Sequence, residues 1–153
     1  MSDVYIEVDG VQKVVPLAEV VAHKACVLNF IGKIQQAEAI YTMCAKPYFS
    51  WIEKIYAMVQ ATPVTHEQDG LGDSAIAHLH YFLGDNHWYI TEKDIEGDGE
   101  QYQAYGYACL AAFAGCEEYG YISIVELLEN DVFLDLEFKP TAMEIIKQQR
   151  KAH

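Results

Sequence analysis

Past residue 62 the apolar period of this chain shortens from helical to strand spacing, and that change calls for a fold that keeps its longer helices apart from most of its strands. Between residues 17 and 44, apolar side chains recur at 17, 20, 21, 27, 28, 31 and 34, then at 37, 40, 41 and 44. That is helical spacing, with an interruption expected near Asn29 and Gly32. Lys46-Pro47 restarts the chain. Tyr48, Phe49, Trp51, Ile52, Ile55, Tyr56, Met58 and Val59 then form a second helix whose apolar residues cover much of its circumference. Beyond Thr62-Pro63 and the polar stretch 66–73 the period shortens. Runs at 75–82, 88–91, 105–110, 119–122 and 132–138 are β-branched or aromatic and are separated by Gly, Asp and Asn turns.

The ends of these elements carry their own signals. Val4 to Val8 alternates with period two, Asp9-Gly10 follows, and a second run covers 11–15. Asp-Gly between two such runs predicts a type I′ hairpin, because both turn residues need positive φ. Pro16 suits a helix start, where a missing N–H costs nothing. Ser123-Ile124-Val125-Glu126 reads as a capping box opening a short helix. The run at 132–138 places Val132, Leu134, Leu136 and Phe138 on one side and Asp135 and Glu137 on the other, as in a half-buried strand. A terminal helix is expected from Met143 onward. The fold class is therefore α+β: an N-terminal hairpin and helices, then a mostly antiparallel sheet with short helices. Residues 1–62 and 63–153 form two regions, which also fit one integrated domain over 1–153.

Charge divides along the same line. Of the 23 Asp and Glu residues, sixteen fall in 63–140 against two lysines, Lys93 and Lys139, whereas the tail after residue 140 is basic. A formal net charge of −13 repels DNA, RNA and anionic membrane and attracts a basic protein surface. The opening Met1-Ser2-Asp3 lacks the pattern of a secretory signal, and no apolar run has the roughly 18 residues of a membrane span. The four cysteines (Cys26, Cys44, Cys109, Cys116) include no Cys-x-x-Cys pair and lie in apolar segments. They read as buried free thiols, and the chain as a cytoplasmic protein.

Several strings in the acidic half go together: His80-Tyr81-Phe82 leading to Trp88-Tyr89-Ile90-Thr91-Glu92-x-Asp94, then Tyr105-Gly106-Tyr107, then Tyr119-Gly120-Tyr121-Ile122-Ser123-x-x-Glu126-Leu127, and finally Leu134-Asp135-Leu136-x-Phe138-Lys139-Pro140. With these, residues 75–143 resemble a family of single-domain proteins of unknown function carried by plasmids, phages and integrative elements (DUF2958-like). The N-terminal 74 residues exceed the family's short lead-in, and the loop 93–104 is longer and more acidic. The resemblance implies a mobile-element setting and supplies no catalytic residues.

Candidate chemistry is sparse. Asp94-Ile95-Glu96-Gly97-Asp98-Gly99 has the opening of a calcium loop, but the twelfth position is Tyr105 where a bidentate Glu belongs, so a solvated hairpin loop is the better reading. His78 and His80 emerge on one strand face, with His87 across a turn and Asp73 or Glu92 as oxygen donors. That is a weak metal candidate without a firm third ligand. No Gly-x-Ser-x-Gly, Walker or Gly-x-Gly-x-x-Gly string occurs, and no cofactor is implied. The tyrosines at 102, 105, 107, 119 and 121 could form a stacking surface, but single-strand binders add cations, and here there are none.

These features favour a non-enzymatic binding protein. Glu92, Asp94, Glu96, Asp98 and Glu100, with Asp135 and Glu137, would dock on a basic groove of a nucleic-acid-handling host complex, as an inhibitor whose carboxylates take the place of phosphates. One alternative is a small metal-dependent hydrolase using His78 and His80. Another is a structural homodimer joined through Tyr48, Trp51 and Ile55.

Overall fold

The structure is a computed structural model that describes residues 2–42 and 49–151. Strands β1 (Asp3–Val8) and β2 (Val11–Pro16) pair antiparallel from Asp3↔Pro16 to Val8↔Val11. The turn between them has positive φ at both Asp9 (51°) and Gly10 (81°), as a type I′ turn requires. Pro16 caps helix α1 (Leu17–Val27). The chain then turns through residues 28–32 before α2 (Lys33–Thr42), so the helical run breaks at the expected place. Helix α3 (Ser50–Ala61) follows.

The second half builds β3 (Ile76–Ala77), β4 (Leu79–Leu83), β5 (Asn86–Glu92), β6 (Ala104–Cys109), β7 (Glu118–Ile122), α4 (Ile124–Glu129), β8 (Phe133–Leu134), β9 (Thr141–Ala142) and α5 (Met143–Lys151). Five of the strands form an antiparallel sheet in the order β7-β6-β5-β4-β8, and β3 pairs separately with β9. The fold is α+β. Ser123 caps α4, its hydroxyl accepting the Glu126 N–H at 3.2 Å.

The pleat gives the sheet two different faces. Leu79, Tyr81, Ile90, Ala104, Ile122 and Leu134 lie on one face and pack against Ile6, Val20, Phe30, Trp51, Ile52 and Ile55 in a single apolar cluster. Residues of the hairpin, the helices and the sheet all contribute to it. Tyr81, buried completely, anchors the junction by donating its hydroxyl to the Phe30 carbonyl at 2.6 Å. On the other face the antiparallel register places Tyr105 opposite Tyr121, Tyr107 opposite Tyr119 and Tyr89, and His80 opposite Tyr89. Helix α5 crosses this aromatic face and buries Met143 and Ile146 against Ala77, Tyr89 and Cys109.

Two local expectations are corrected. The run 132–138 pairs over Phe133 and Leu134 alone. Gln35 reaches in from α2 and takes both backbone groups of Leu134, at 2.6 and 2.7 Å, in the manner of a further strand. Asp135 then accepts the Glu137 N–H with its side chain at 3.0 Å and turns the chain. Cys26 and Cys109 are buried free thiols, but Cys116 is exposed in the loop after β6; Cys44 lies outside the described residues.

Candidate functional site on the acidic half

The acidic run 92–100 divides by depth. Glu92 is only 3% exposed, and its two oxygens accept the backbone N–H groups of His66 and Gln68. Gln68 in turn holds the Ile76 N–H and the Ile76 and Thr91 carbonyls. Lys93 is buried and donates to the Val59 carbonyl at 2.8 Å. Asp94 accepts the N–H groups of Glu96 and Gln103, and fully buried Gln101 binds the Asp94 N–H and the carbonyls of Gly97 and Gly99. Glu92 and Asp94 therefore brace loops and are not displayed to a partner. The sequence pattern concealed this because a carboxylate that collects amides in a turn looks the same on paper as a solvated one.

Asp98 is exposed yet tethered. Its carboxylate accepts from Gln60 at 3.0 Å and from the Cys26 thiol at 3.4 Å, while its carbonyl accepts from Asn29 at 2.7 Å. Burial, and then the hydrogen bond to Asp98, push the Cys26 thiol up to about 12, so it remains a donor. These bonds pin the acidic loop to α1 and α3.

Glu96 and Glu100 do face solvent. Glu100 borders a groove of about 410 Å³ between the α1–α2 turn and α4. Leu28, Ile31, Val125 and Leu128 supply its apolar lining, and Glu100, Glu129 and Asp131 stand at its sides with a single cation, Lys33. Tyr102 donates to Glu100 at 3.0 Å, and its phenol is raised by that bond and by the charges of Glu100 and Glu129. No sequence signal linked Leu28 and Ile31 to Leu128, because they meet only when α4 folds back on the helical layer.

Asp135 and Glu137 belong to other neighbourhoods. Glu137 is exposed and meets Lys54 at 3.3 Å, in a cleft shared with Val8, Met58 and His78. Asp135 meets His80 Nδ1 at 3.0 Å, and His80 Nε2 meets His87 Nδ1 at 2.8 Å. His80 also stacks on Tyr89 with ring centres 4.7 Å apart. His87 and His80 open into a cavity of about 590 Å³ bordered by Asp85, Phe138 and Arg150. His78 opens into the Lys54–Glu137 cleft instead, with its Nδ1 buried and without a hydrogen-bond partner among the described residues. The two candidate metal ligands thus diverge. The groups that His80 does meet are His87 and Asp135, not Asp73 or Glu92, and among the described residues no three His, Cys, Asp or Glu side chains converge on one point.

The proposed dimer face is corrected as well. Trp51 is 0% and Ile55 1% exposed, both inside the main apolar cluster; Tyr48 lies outside the described residues. The wide apolar circumference of α3 is used up by α1 on one side and by the hairpin and sheet on the other. Tyr56 continues this packing by stacking on His23 at 3.6 Å, and His23 pairs with Glu53 at 2.6 Å.

The remaining chemistry lies on the tyrosine face. Lys147 of α5 sits 4.7 Å above the ring of Tyr107 and 4.6 Å above that of Tyr119, and reaches Asp73 at 2.7 Å. Tyr119 donates to the same Asp73 oxygen at 2.6 Å. Hydrogen bonds from Lys147 and then Tyr119 hold the Asp73 carboxyl below its usual range, and burial followed by Asp73 raises the Tyr119 phenol. Beside this pair a cleft of about 240 Å³ opens between loop 65–72 and the rings of Tyr105, Tyr119 and Tyr121.

Comparison with family models, with curated proteins and with solved structures finds no match. No helix among the described residues is long and apolar enough to cross a membrane.

Proposed function

We propose that this chain is a binding protein that docks, through the acidic groove beside α4, on a basic and amphipathic surface of another protein. The observation that carries this reading is the combination at that groove: an apolar lining from Leu28, Ile31, Val125 and Leu128 with Glu100, Glu129 and Asp131 alongside. An apolar strip gives affinity by leaving water, and flanking carboxylates choose partners whose lysines and arginines already pair with anions. A nucleic-acid-handling complex presents such basic surfaces, which agrees with an inhibitor whose carboxylates occupy phosphate positions. The net charge of −13 draws such a partner in from a distance, and the groove fixes where it lands.

The hydrolase alternative requires His78 and His80 to converge on one ion, and they open into separate clefts. The homodimer alternative requires Trp51 and Ile55 at a surface, and both are core.

A synthetic helical peptide with one leucine face and one lysine face tests the docking. Its affinity for the wild type and for Glu100→Lys, Glu129→Lys is measured over a range of salt. The double variant should bind about tenfold or more weaker and show a shallower salt dependence. Equal affinity and equal salt slope for the two proteins would remove the groove as the docking site.

A further inference from the structure

We propose that the cleft walled by Tyr105, Tyr119 and Tyr121 is a receptor for an alkylammonium group, the head of a lysine side chain presented by the docked partner. The inference rests on the docking reading, since a basic partner supplies the ligand, but it concerns a different place on the molecule.

The geometry is that of an open box. Tyr105 and Tyr121 meet edge to face across the β6–β7 pair, with ring centres 5.6 Å apart and planes at 83°, so the two rings stand as walls near a right angle. Tyr119 lies parallel to Tyr105, at 4° and 6.4 Å. Asp69 lines the same cleft and brings negative charge to it, with Glu92 buried in its wall. Glu92 is fixed by its two backbone amides, and Asp69 meets His66 Nδ1 through one oxygen at 3.0 Å. Aromatic faces carry negative quadrupole charge, so rings set at right angles beside carboxylates favour a cation over a neutral group of equal size. Solvent already reaches the box, because Tyr121 is 61% exposed.

The chain itself supplies a precedent one step along the same face. Lys147 places its ammonium over Tyr107 and Tyr119 and pairs it with Asp73. The cleft has the same parts, tyrosine faces with a carboxylate behind them, and shares Tyr119 with the internal site. A lysine head reaching in from outside would repeat for Tyr105 and Tyr121 what Lys147 does for Tyr107. The single strand of nucleic acid that stacked tyrosines otherwise suggest is disfavoured here, because Asp69 faces the cleft and the nearby Lys147 ammonium is already paired with Asp73.

Loop 65–72 shapes the rest of the cleft. His66 and Gly70 hold φ of 81° and 80°, and the bonds of Glu92 and Gln68 keep the loop against the end of β5. The cleft is thus preorganised and need not be formed by the ligand.

The test uses small probes on the whole chain, so it needs no partner and is independent of the groove. n-Butylammonium is titrated against 1-butanol, a neutral chain of the same length, while the tyrosine ring resonances are followed by NMR. Saturable shifts at Tyr105 and Tyr121 with the ammonium, about tenfold weaker binding to Tyr121→Ala, and retained binding to Tyr121→Phe are expected. Butanol binding as well as the ammonium would show an apolar cleft only and overturn the proposal. Equal ammonium binding to Tyr121→Ala would attribute it to the general acidity of the surface and overturn it too. Because Tyr121 is largely exposed, its replacement leaves the core in place. A failed groove test together with a successful probe titration would sink the docking site and leave the cation site standing.

Discussion

His80 is engaged at both ring nitrogens, by Asp135 at Nδ1 and by His87 at Nε2, and with both rings neutral this pairing sets their tautomers. Asp135 as a carboxylate only accepts, so His80 Nδ1 at 3.0 Å carries the proton. His80 Nε2 is then an acceptor in the neutral ring, and His87 Nδ1 at 2.8 Å donates to it. His87 Nε2 is left as a bare lone pair beside the cavity that Arg150 borders. Long-range nitrogen–proton correlation spectra at neutral pH should show both rings protonated at Nδ1. Asp135→Ala should release His80 from that form and cost about 1–3 kcal/mol of stability. A His80 ring protonated at Nε2 in the wild type would contradict the chain of bonds.

Two histidines give the fold a defined acid sensitivity. Burial lowers His78, and burial, then His80 and Arg150, lower His87 against the opposing Asp85. Both therefore take up protons more readily in the unfolded chain, whose reference value is 6.5. Their contribution to stability is complete above that value and declines as pH falls below it. Asp73 and Glu117, both lowered, add a second loss below their reference values of 3.8 and 4.5. Urea midpoints should fall between pH 7.5 and 5.5, and His87→Gln should flatten that slope. An unchanged slope in the variant would mean His87 is not depressed.

Gly106 has no tolerance for a side chain. A Cβ there would lie 1.9 Å from the Tyr89 carbonyl oxygen and 3.0 Å from the Ile90 Cα, both backbone. Gly106 pairs with Ile90, where the regular register of β5 against β6 gives way to an irregularity between Ile90 and Glu92. Gly106→Ala should destabilise by about 3 kcal/mol or more, measured by chemical denaturation. Gly120, with open space around its Cβ position, serves as the control, and Gly120→Ala should cost much less.

Trp51 behaves as core in this structure, so its replacement should unfold the chain and not split a dimer. Trp51→Ala should cost about 3–5 kcal/mol. Sedimentation of Trp51→Glu should show unfolded or aggregated material, whereas a well-folded monomer derived from a wild-type dimer would restore Trp51 to an interface.

Glu92 offers a sharper test of the loop bracing. Glu92→Ala leaves the N–H groups of His66 and Gln68 without their acceptor and should cost about 1–3 kcal/mol. Hydrogen exchange should speed up in loop 65–72 and remain unchanged in α1. Unaltered exchange in the loop would show that the carboxylate does not hold it.

Local chemistry was legible in the sequence. Asp9-Gly10 specified its turn, Ser123 its cap, the break near Asn29 and Gly32 its helix end, and the change of period the α+β class, because each depends on backbone preferences within a few residues. Depth and partnership were decided by the tertiary structure. Glu92 and Asp94 belong to the same acidic run as the exposed Glu96, Asp98 and Glu100, yet they lie buried because backbone amides from loop 65–72 and residues 96–103 come to meet them. His78 and His80 share a strand face in sequence, but β3 leaves for β9 while β4 stays in the main sheet, and the two rings part. The box of Tyr105, Tyr119 and Tyr121 exists only through the β6–β7 register, and the groove of Leu28, Ile31 and Leu128 only through the return of α4. Contacts between residues far apart in the chain leave no periodic trace along it, so sites built from them appear only once the chain has folded.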